Sequence, residues 1–240
     1  MRFTPVFHSE WIKIRTLRSQ VAALAMILAV TAIFSALASS DTGGDDFDPL
    51  FAVFFGVTFG QIAAIAFGTT AVSSEFQGGA LRLSLAAVPH RGRWFAAKAT
   101  AIALPVFAVG LVTGVVTLVV GKAVLGTEAD GLGRAEQVRG VVGCAVYLTL
   151  MALLAAGLTA VLRSGVATLS IVIPFLLIVS FVVGDASSGL ADLLPDRAGQ
   201  VALHETWAGA MGPWTGLGVT ASWAAAAPAA GVWSVRRRDA

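Results

Sequence analysis

The chain has 240 residues, of which 57% are hydrophobic and 12% are charged, and its net charge is +2. Soluble domains carry roughly 25% charged residues, so this composition excludes a soluble enzyme and a disordered chain. The single cysteine, Cys144, lies in an apolar run and has no partner for an internal disulfide, which excludes a disulfide-stapled secreted module. A mean hydropathy of +0.82 instead indicates an all-α membrane protein.

Six stretches without Asp, Glu, Lys or Arg each approach or exceed the roughly 20 residues that a transmembrane helix needs. They cover residues 20–39, 50–72, 99–121, 140–162, 166–184 and 207–235. The last stretch is rich in alanine and glycine and contains two prolines, so its start is the least well defined. Because the six stretches fill most of the chain, we expect residues 1–240 to form one domain with six transmembrane helices.

The distribution of charge predicts the orientation. With the N-terminus in the cytoplasm, 12 of the 16 Lys and Arg residues lie on the inner side of the membrane, and 11 of the 14 Asp and Glu residues lie outside. An excess of Lys and Arg marks cytoplasmic segments, so the sequence predicts a multi-pass protein of the cytoplasmic membrane with both termini inside. Residues 73–98 then form a cytoplasmic loop and residues 185–206 an extracellular loop. Ala36-Leu37-Ala38 resembles a signal-peptide cleavage site, but the preceding apolar run is longer than the usual 7–15 residues.

Residues 3–18, ahead of the first predicted span, have the pattern of an amphipathic helix. Spacings of three and four residues place one set of apolar side chains on a single face, namely Phe3, Phe7, Trp11, Ile14 and Leu17. Glu10 and Lys13 face elsewhere. Such a helix lies in the headgroup plane, where membrane anchoring alone explains it. The alternative interpretation is a lever that also contacts a cytoplasmic partner.

The loop of residues 73–98 contains a helix of its own. Leu81, Leu85 and Val88 recur at helical spacing after two glycines, and Pro89 ends the pattern. Basic residues follow where the chain re-enters the membrane, and anionic lipid accounts for them: Arg91, Arg93 and Lys98. Lipid anchoring does not account for Glu75, an acidic residue on an otherwise basic side, or for the presence of a separate helix in the loop.

The extracellular loop of residues 185–206 predicts a short helix around residues 188–194, where Leu190, Leu193 and Leu194 form an apolar group. Such a helix would cap an outward-facing cavity, but an ordinary loop also fits the pattern.

Two GxxxG motifs, Gly56–Gly60 and Gly110–Gly114, predict close helix packing in the second and third spans.

The sequence offers no catalytic chemistry. It has no phosphate-binding loop and no GxSxG elbow, and its three histidines lie in different segments, so we expect no catalytic residue, no metal site and no cofactor in this chain. The predicted spans contain no ionisable Asp, Glu, Lys, Arg or His side chain to drive ion-coupled transport. Candidate polar residues of a transport path are Thr58, Gln61, Ser170 and Ser180.

Two segments carry a resemblance to a known family. The first is Ser9-Glu10-Trp11-x-Lys13-x-Arg15-Thr16-Leu17-Arg18-Ser19, ahead of the first span. The second is Glu75-Phe-Gln-Gly78-Gly79-x-Leu81-Arg82-x-x-Leu85-Ala86-x-Val88-Pro89-x-Arg91, followed by Lys98. Together with six spans and cytoplasmic termini, the chain resembles actinobacterial ABC transporter permeases of the type-2 exporter class over nearly its whole length.

The resemblance implies a function and a set of partners. Two six-span permeases, identical or different, pair with two separate ATP-binding subunits, which hold the ATP and Mg²⁺; nucleic acid has no part in this. Residues 3–18 become a connecting helix with Phe7, Glu10, Trp11, Lys13 and Arg15. Residues 76–89 become a coupling helix seated on the ATPase, with contacts from Glu75, Gly78, Gly79, Leu81, Arg82, Leu85, Pro89 and Arg91. Residues 185–206 become a re-entrant region. The alternative is a polytopic membrane enzyme or an ATPase-independent carrier.

Overall fold

The computed structural model describes residues 3–41, 47–78, 80–88, 90–179, 191–207 and 211–237, and every regular element within these ranges is helical. The α-helices are α1 (Phe3–Thr16), α2 (Arg18–Ser39), α3 (Pro49–Phe54), α4 (Val57–Ser73), α5 (Ala80–Ala87), α6 (Arg91–Leu125), α7 (Arg134–Leu162), α8 (Gly165–Pro174), α9 (Pro195–Gln200) and α10 (Pro213–Arg237). Short 3₁₀ turns cover Ser74–Phe76, Gly126–Ala129, Ala191–Leu193 and Val201–Leu203, and a π-helical turn covers Phe175–Val179.

Four helical stretches are long and apolar enough to cross a membrane. They are Arg18–Ser39, Pro49–Phe76, Arg91–Ala129 and Arg134–Leu162, and they contain the first four predicted spans. Even the shortest, with 22 residues, extends about 33 Å at 1.5 Å per residue, which covers a hydrocarbon core of about 30 Å. The prediction of an all-helical protein is therefore confirmed for the described part of the chain, and four of its helical stretches have the length and composition of membrane spans.

The last two predicted spans differ from these four. The fifth corresponds to α8 and the π-helical turn after Pro174, and its predicted end, residues 180–184, lies outside the described residues. The sixth corresponds to α10, which has 25 residues but is less apolar than the four long stretches. α10 begins at Pro213 rather than at residue 207, since proline has no N–H to lose and favours the first position of a helix.

Helix α7 occupies the centre of the bundle and contacts α4, α6 and α10 through small residues. A Cβ atom added to Gly110 would lie 2.8 Å from the Ala145 Cα, and one added to Gly114 would lie 3.0 Å from the Val141 Cα. Both glycines belong to the second GxxxG motif, so this motif brings α6 against α7. Such close backbone approach favours helix association in lipid, where apolar burial gives little driving force.

The first GxxxG motif brings the second span against α2. A Cβ on Gly56 would lie 1.9 Å from the Thr31 carbonyl oxygen, and one on Gly60 would lie 2.0 Å from the Thr31 Oγ1. The Gly56 N–H also donates to the Ser35 Oγ at 3.1 Å. Helix α2 otherwise presents an apolar face away from the bundle, with 61% of Leu37 and 58% of Ile33 exposed, as expected of a helix at the lipid boundary.

We predict that Gly68→Ala destabilises the bundle by about 1–3 kcal/mol, the usual cost of overpacking. The added methyl group would lie 2.1 Å from the Ala152 carbonyl oxygen of α7, and two helix backbones would have to separate. Gly218→Ala in α10 is the matched control, because no atom lies within 4 Å of its Cβ position. Thermal unfolding of both variants in detergent measures the effect. Equal melting temperatures would contradict the close α4–α7 packing.

Candidate functional site

Four charged side chains meet at the end of the bundle that carries α5, and we call them the ion cluster: Glu10, Lys13, Glu75 and Lys98. The Lys98 Nζ donates to the Glu10 Oε2 at 2.5 Å and to the Glu75 Oε1 at 2.7 Å. The Lys13 Nζ donates to the Glu10 Oε1 at 2.9 Å and to the Glu75 Oε1 at 2.8 Å. Two ammonium groups thus bridge two carboxylates, and the charges balance.

Each member of the ion cluster comes from a different part of the fold, apart from the two on α1. Glu75 lies in the 3₁₀ turn that follows α4, and Lys98 lies in the second turn of α6. The Ser84 Oγ of α5 donates to the Glu75 Oε2 at 3.1 Å, so the loop helix joins the same network. The ion cluster therefore connects α1, the end of α4, α5 and α6.

Three of the four side chains are shielded from solvent. The Glu10, Glu75 and Lys98 side chains are only 3–4% exposed, whereas that of Lys13 is 42% exposed. Burial alone would lower the pKa of Lys13, but its hydrogen bonds to the Glu75 and Glu10 carboxylates outweigh this effect and hold the pKa above its ordinary value. Because an uncompensated buried charge costs several kcal/mol, each member requires the others to stay in place.

The ion cluster changes the interpretation of α1. The face of α1 that packs against the bundle carries Val6, Glu10 and Ile14, not the whole predicted apolar stripe. Phe3 is 43% exposed, and the rings of Phe7 and Trp11 stack at 6.1 Å between centroids, so aromatic surface remains for lipid. Two further residues lie off the packed face: Leu17 is 45% exposed and follows the end of α1, and Arg15 is exposed. Since α1 joins α6 through Glu10 and Lys98, membrane anchoring alone does not describe it.

The loop after α4 contains α5, which is shorter than the predicted 76–89. Gly78 has a φ of +59°, which favours glycine, and it precedes the helix. Leu81 is buried, and the backbone of Arg82 and Leu85 is helical within α5. Arg91 is the first residue of α6, and Gly79 and Pro89 lie outside the described residues.

The prediction that Lys98 binds anionic lipid is wrong. Lys98 was expected to bind anionic lipid together with Arg91 and Arg93, but its ammonium group is buried between two carboxylates. The reason is its position in the second turn of α6, which faces α1 and the end of α4 rather than the membrane surface.

At the opposite end of the bundle, which we call the α3 end, a second polar network closes the fold. Asp48 accepts from the Phe51 N–H at 2.9 Å and so caps the N-terminus of α3. It also accepts from the Glu205 N–H at 3.0 Å, and its Oδ2 lies 3.1 Å from the His204 Nδ1. Arg139 of α7 donates to the His204 carbonyl oxygen at 2.6 Å. These contacts hold the segment after α9, with His204 and Glu205, against the start of the second span at Asp48.

A cavity of about 370 Å³ lies beside this network, and we call it the aromatic cavity. Its lining residues are Phe51, Phe55, Thr58, Gln61, Leu176, Leu177, Asp196, Arg197, Gln200, His204 and Trp207. The structure thus brings Thr58 and Gln61 together at one cavity. Ser170 is exposed on α8 and does not line it, and Ser180 lies outside the described residues.

One wall of the aromatic cavity is built by a closed circuit of hydrogen bonds. The Thr58 hydroxyl donates to the Gln200 Oε1 at 3.3 Å, and the Gln200 Nε2 donates to the Tyr147 hydroxyl at 3.2 Å. The Tyr147 hydroxyl donates to the Gln61 Oε1, and the Gln61 Nε2 returns to the Thr58 carbonyl oxygen at 2.9 Å. Tyr147 lies 13 residues into the 29-residue helix α7, so Gln200 reaches about the middle of that helix.

The predicted short helix at residues 188–194 is only partly in the right place. Residues 188–190 lie outside the described ranges, Ala191–Leu193 form a 3₁₀ turn, and the α-helix of this region is α9, starting at Pro195. The prediction relied on the leucines of this segment, whereas α9 is buried through small residues. Ala198 is fully buried, and a Cβ on Gly199 would lie 2.3 Å from the Tyr147 ring.

Several residues of these sites were not predicted from the sequence, among them Lys98 as an ion-pair partner, Tyr147, Gln200 and the Asp48–His204 contact.

Within the described residues no group of three or more His, Cys, Asp or Glu side chains is arranged to hold a metal ion. Comparison with known proteins identifies no relative: no protein-family model matches the chain, and no curated protein matches it.

We predict that Lys98→Met destabilises the protein by about 3–5 kcal/mol, because it leaves two buried carboxylates with one half-exposed ammonium group. Lys122→Met, at the other end of α6, is the control and should have little effect. The double variant Lys98→Met/Glu75→Gln restores the charge balance and should recover part of the loss. Thermal unfolding in detergent measures all three, and a double variant less stable than Lys98→Met would argue against the ion cluster.

We predict that Asp48→Asn destabilises the α3 end at pH 7 by about 1 kcal/mol, because asparagine still caps the helix but its neutral oxygen accepts weaker hydrogen bonds from the Glu205 N–H and from His204 than the carboxylate does. Burial would raise the pKa of Asp48, but hydrogen bonds from His204, Phe51 and Glu205 lower it below its ordinary value. The carboxylate thus stabilises the fold above the ordinary pKa of about 4. This contribution disappears as the pH falls through the lowered pKa.

The difference in melting temperature between the natural chain and Asp48→Asn should therefore shrink as the pH falls below about 4. Asp130→Asn, at an exposed position, controls for the loss of a surface charge. A difference that stays constant from pH 7 to pH 3 would contradict the role of the ionised carboxylate.

Proposed function

We propose that the chain is the membrane-spanning permease subunit of an ATP-driven exporter of the ABC type. It crosses the membrane six times with both termini in the cytoplasm. Two permease chains form the translocation path, and separate ATP-binding subunits supply the ATP and Mg²⁺. The observation that carries the proposal is the ion cluster, because it joins the connecting helix, the coupling loop and two spans through buried charges.

The ion cluster gives the coupling loop a firm connection to the spans. Ser84 of α5 binds Glu75, and Glu75 binds Lys98 of α6 and Lys13 of α1. A force applied to α5 therefore reaches α1, α4 and α6 together, because moving any one of them alone would separate buried charges. An ATP-driven permease needs such a connection between its docking loop and its spans.

The exposed side of α5 fits a protein partner. Leu83 is 75% exposed, while Leu81 on the same helix is 5% exposed and packs into the bundle. Under the proposed topology, α5 lies in the cytoplasm beyond the end of the second span. A leucine side chain presented there supports docking onto another protein, since burying it would contribute about 1.5–3 kcal/mol.

The proposed cycle is the one that the resemblance to ABC permeases implies. ATP draws the two ATPase subunits together, and the coupling helices move with them. The permease halves then change between two packings that open to opposite sides of the membrane. Coupling requires only that ATP-bound and ATP-free ATPases favour different packings. This chain performs no covalent chemistry in that cycle.

The first experiment is affinity purification of the tagged chain from its native membrane in mild detergent, followed by mass spectrometry. The proposal expects a stoichiometric partner that carries a phosphate-binding loop. A clean preparation without any ATPase would instead favour a polytopic enzyme or an ATPase-independent carrier.

We predict that Leu83→Ser weakens ATPase binding by at least about tenfold, which is the loss expected from about 1.4 kcal/mol of apolar contact. Val138→Ser is the matched control, because Val138 is also an exposed apolar residue (63%) but lies on α7 far from α5. The measurement is the amount of ATPase retained on the purified chain, with melting temperatures to verify folding. Equal retention would contradict docking through α5.

The resemblance also predicts that Arg82→Ala abolishes transport while membrane insertion stays normal. Glu75→Ala should do the same, but it also disrupts the ion cluster, so Arg82 gives the cleaner test of the loop. Normal ATP-dependent transport by an Arg82→Ala variant would show that this arginine is not part of the coupling contact.

A further inference from the structure

We infer that the aromatic cavity is a binding site for an uncharged aromatic molecule that carries a hydrogen-bond acceptor such as a carbonyl group. This inference does not depend on the permease proposal, because binding to the isolated chain needs neither ATP nor an ATPase. It rests on the shape of the cavity, on the N–H donors of its lining residues and on its charge balance.

The shape and apolar surface of the cavity suit a molecule of one or two aromatic rings. Its volume of about 370 Å³ lies at the lower end of the range for small-molecule sites. Phe51 and Phe55 lie edge to face with centroids 5.7 Å apart, and the His204 ring stacks on Phe51 at 4.0 Å. Trp207 lies 4.9 Å from His204. These rings hold one another in place, so an aromatic guest meets a wall that is already ordered.

The residues that line the cavity include N–H groups that their hydrogen bonds within the chain do not use. In the circuit described above, Gln61 and Gln200 each use one N–H of the side-chain amide. The second N–H of each amide has no partner among the described residues. The Trp207 indole N–H is also buried without a partner in the described part of the chain. A ligand that carries a hydrogen-bond acceptor could bind to these N–H groups.

The energetic effect of such an acceptor is appreciable. A buried N–H group without a partner costs about 1–3 kcal/mol, and Gln61 is only 1% exposed. A ligand carbonyl at this wall removes that cost, whereas a purely hydrocarbon ligand leaves it in place. The cavity should therefore discriminate between a ketone and a hydrocarbon of the same shape.

The charges around the cavity favour an uncharged ligand. Among the lining residues, Asp196 and Arg197 lie next to each other in the first turn of α9 and have opposite signs. Leu176 and Leu177 close the side formed by the π-helical turn. A charged ligand would gain attraction from one member of the pair and repulsion from the other, while losing its hydration.

Benzophenone is a suitable probe, because it has two phenyl rings and one carbonyl group and is itself photoreactive. On irradiation its carbonyl oxygen abstracts a hydrogen atom from a nearby C–H group, and the two carbon radicals combine into one new C–C bond. The purified chain in lipid nanodiscs is labelled at increasing probe concentrations, and the labelled peptides are identified by mass spectrometry. We expect saturable labelling within residues 51–61 and 200–207.

Two competing ligands distinguish the contribution of the carbonyl group to binding from that of the aromatic rings. Fluorenone and fluorene have nearly the same shape, but only fluorenone carries a carbonyl group. We expect fluorenone to suppress the cavity labelling at a concentration at least about tenfold lower than fluorene, which corresponds to about 1.4 kcal/mol. Equal competition would overturn the inference and indicate an apolar crevice for lipid chains. Labelling spread over the lipid-exposed helices, without saturation in the cavity, would also overturn it.

Variants test the position of the site. Leu177→Trp places bulk in the cavity and should abolish the saturable labelling, whereas its neighbour Ile178→Trp should leave it unchanged because Ile178 is 61% exposed and does not line the cavity. Gln61→Leu removes one donor and should narrow the difference between fluorenone and fluorene. Melting temperatures verify that each variant is folded. If labelling survives in folded Leu177→Trp, the aromatic cavity is not the site.

Discussion

The buried ammonium group of Lys98, held between the carboxylates of Glu10 and Glu75, is the interaction on which the α5 end of the bundle depends. Removing these three groups from water costs several kcal/mol for each, and only their mutual contact offsets the loss. The contact exists only when α1, the end of α4 and α6 are all in position. Charge burial therefore makes these elements cooperative, and Ser84 extends the cooperation to α5.

The middle of the bundle is stabilised differently from its ends. Between the two polar networks the helices meet through glycine and alanine, with Gly68, Gly110 and Gly114 against α7 and Gly56 and Gly60 against α2. Close backbone contact suits a helix surrounded by lipid, because apolar side chains gain little there by leaving lipid for protein. Directional interactions concentrate at the two ends, in the ion cluster and in the Asp48 network.

The helical fold could be predicted because its signals are local: apolar length marks four helical stretches long enough to span a membrane, and the GxxxG motifs mark close helix contacts. The candidate sites could not be predicted in full, since their members lie far apart in sequence. Lys98 is 88 residues from Glu10 and 23 from Glu75, and only tertiary packing brings them together. The buried face of α1 was missed for the same reason, because the glutamate on that face packs inward only when Lys98 lies opposite. In α9, burial through alanine and glycine left no hydrophobic periodicity to detect.

Helix α4 connects the two polar regions and gives them a shared mechanical element. Glu75 lies two residues beyond the last residue of α4, while Thr58 and Gln61 lie in its first two turns and line the aromatic cavity. The helix has 17 residues and extends about 26 Å, and it contains no proline that would bend it. A displacement of the ion cluster along this helix would therefore shift Thr58 and Gln61 relative to Gln200 and change the hydrogen-bond circuit at the cavity wall. Under the proposed function, the same helix that receives force from the coupling loop would control the shape of the cavity at its other end.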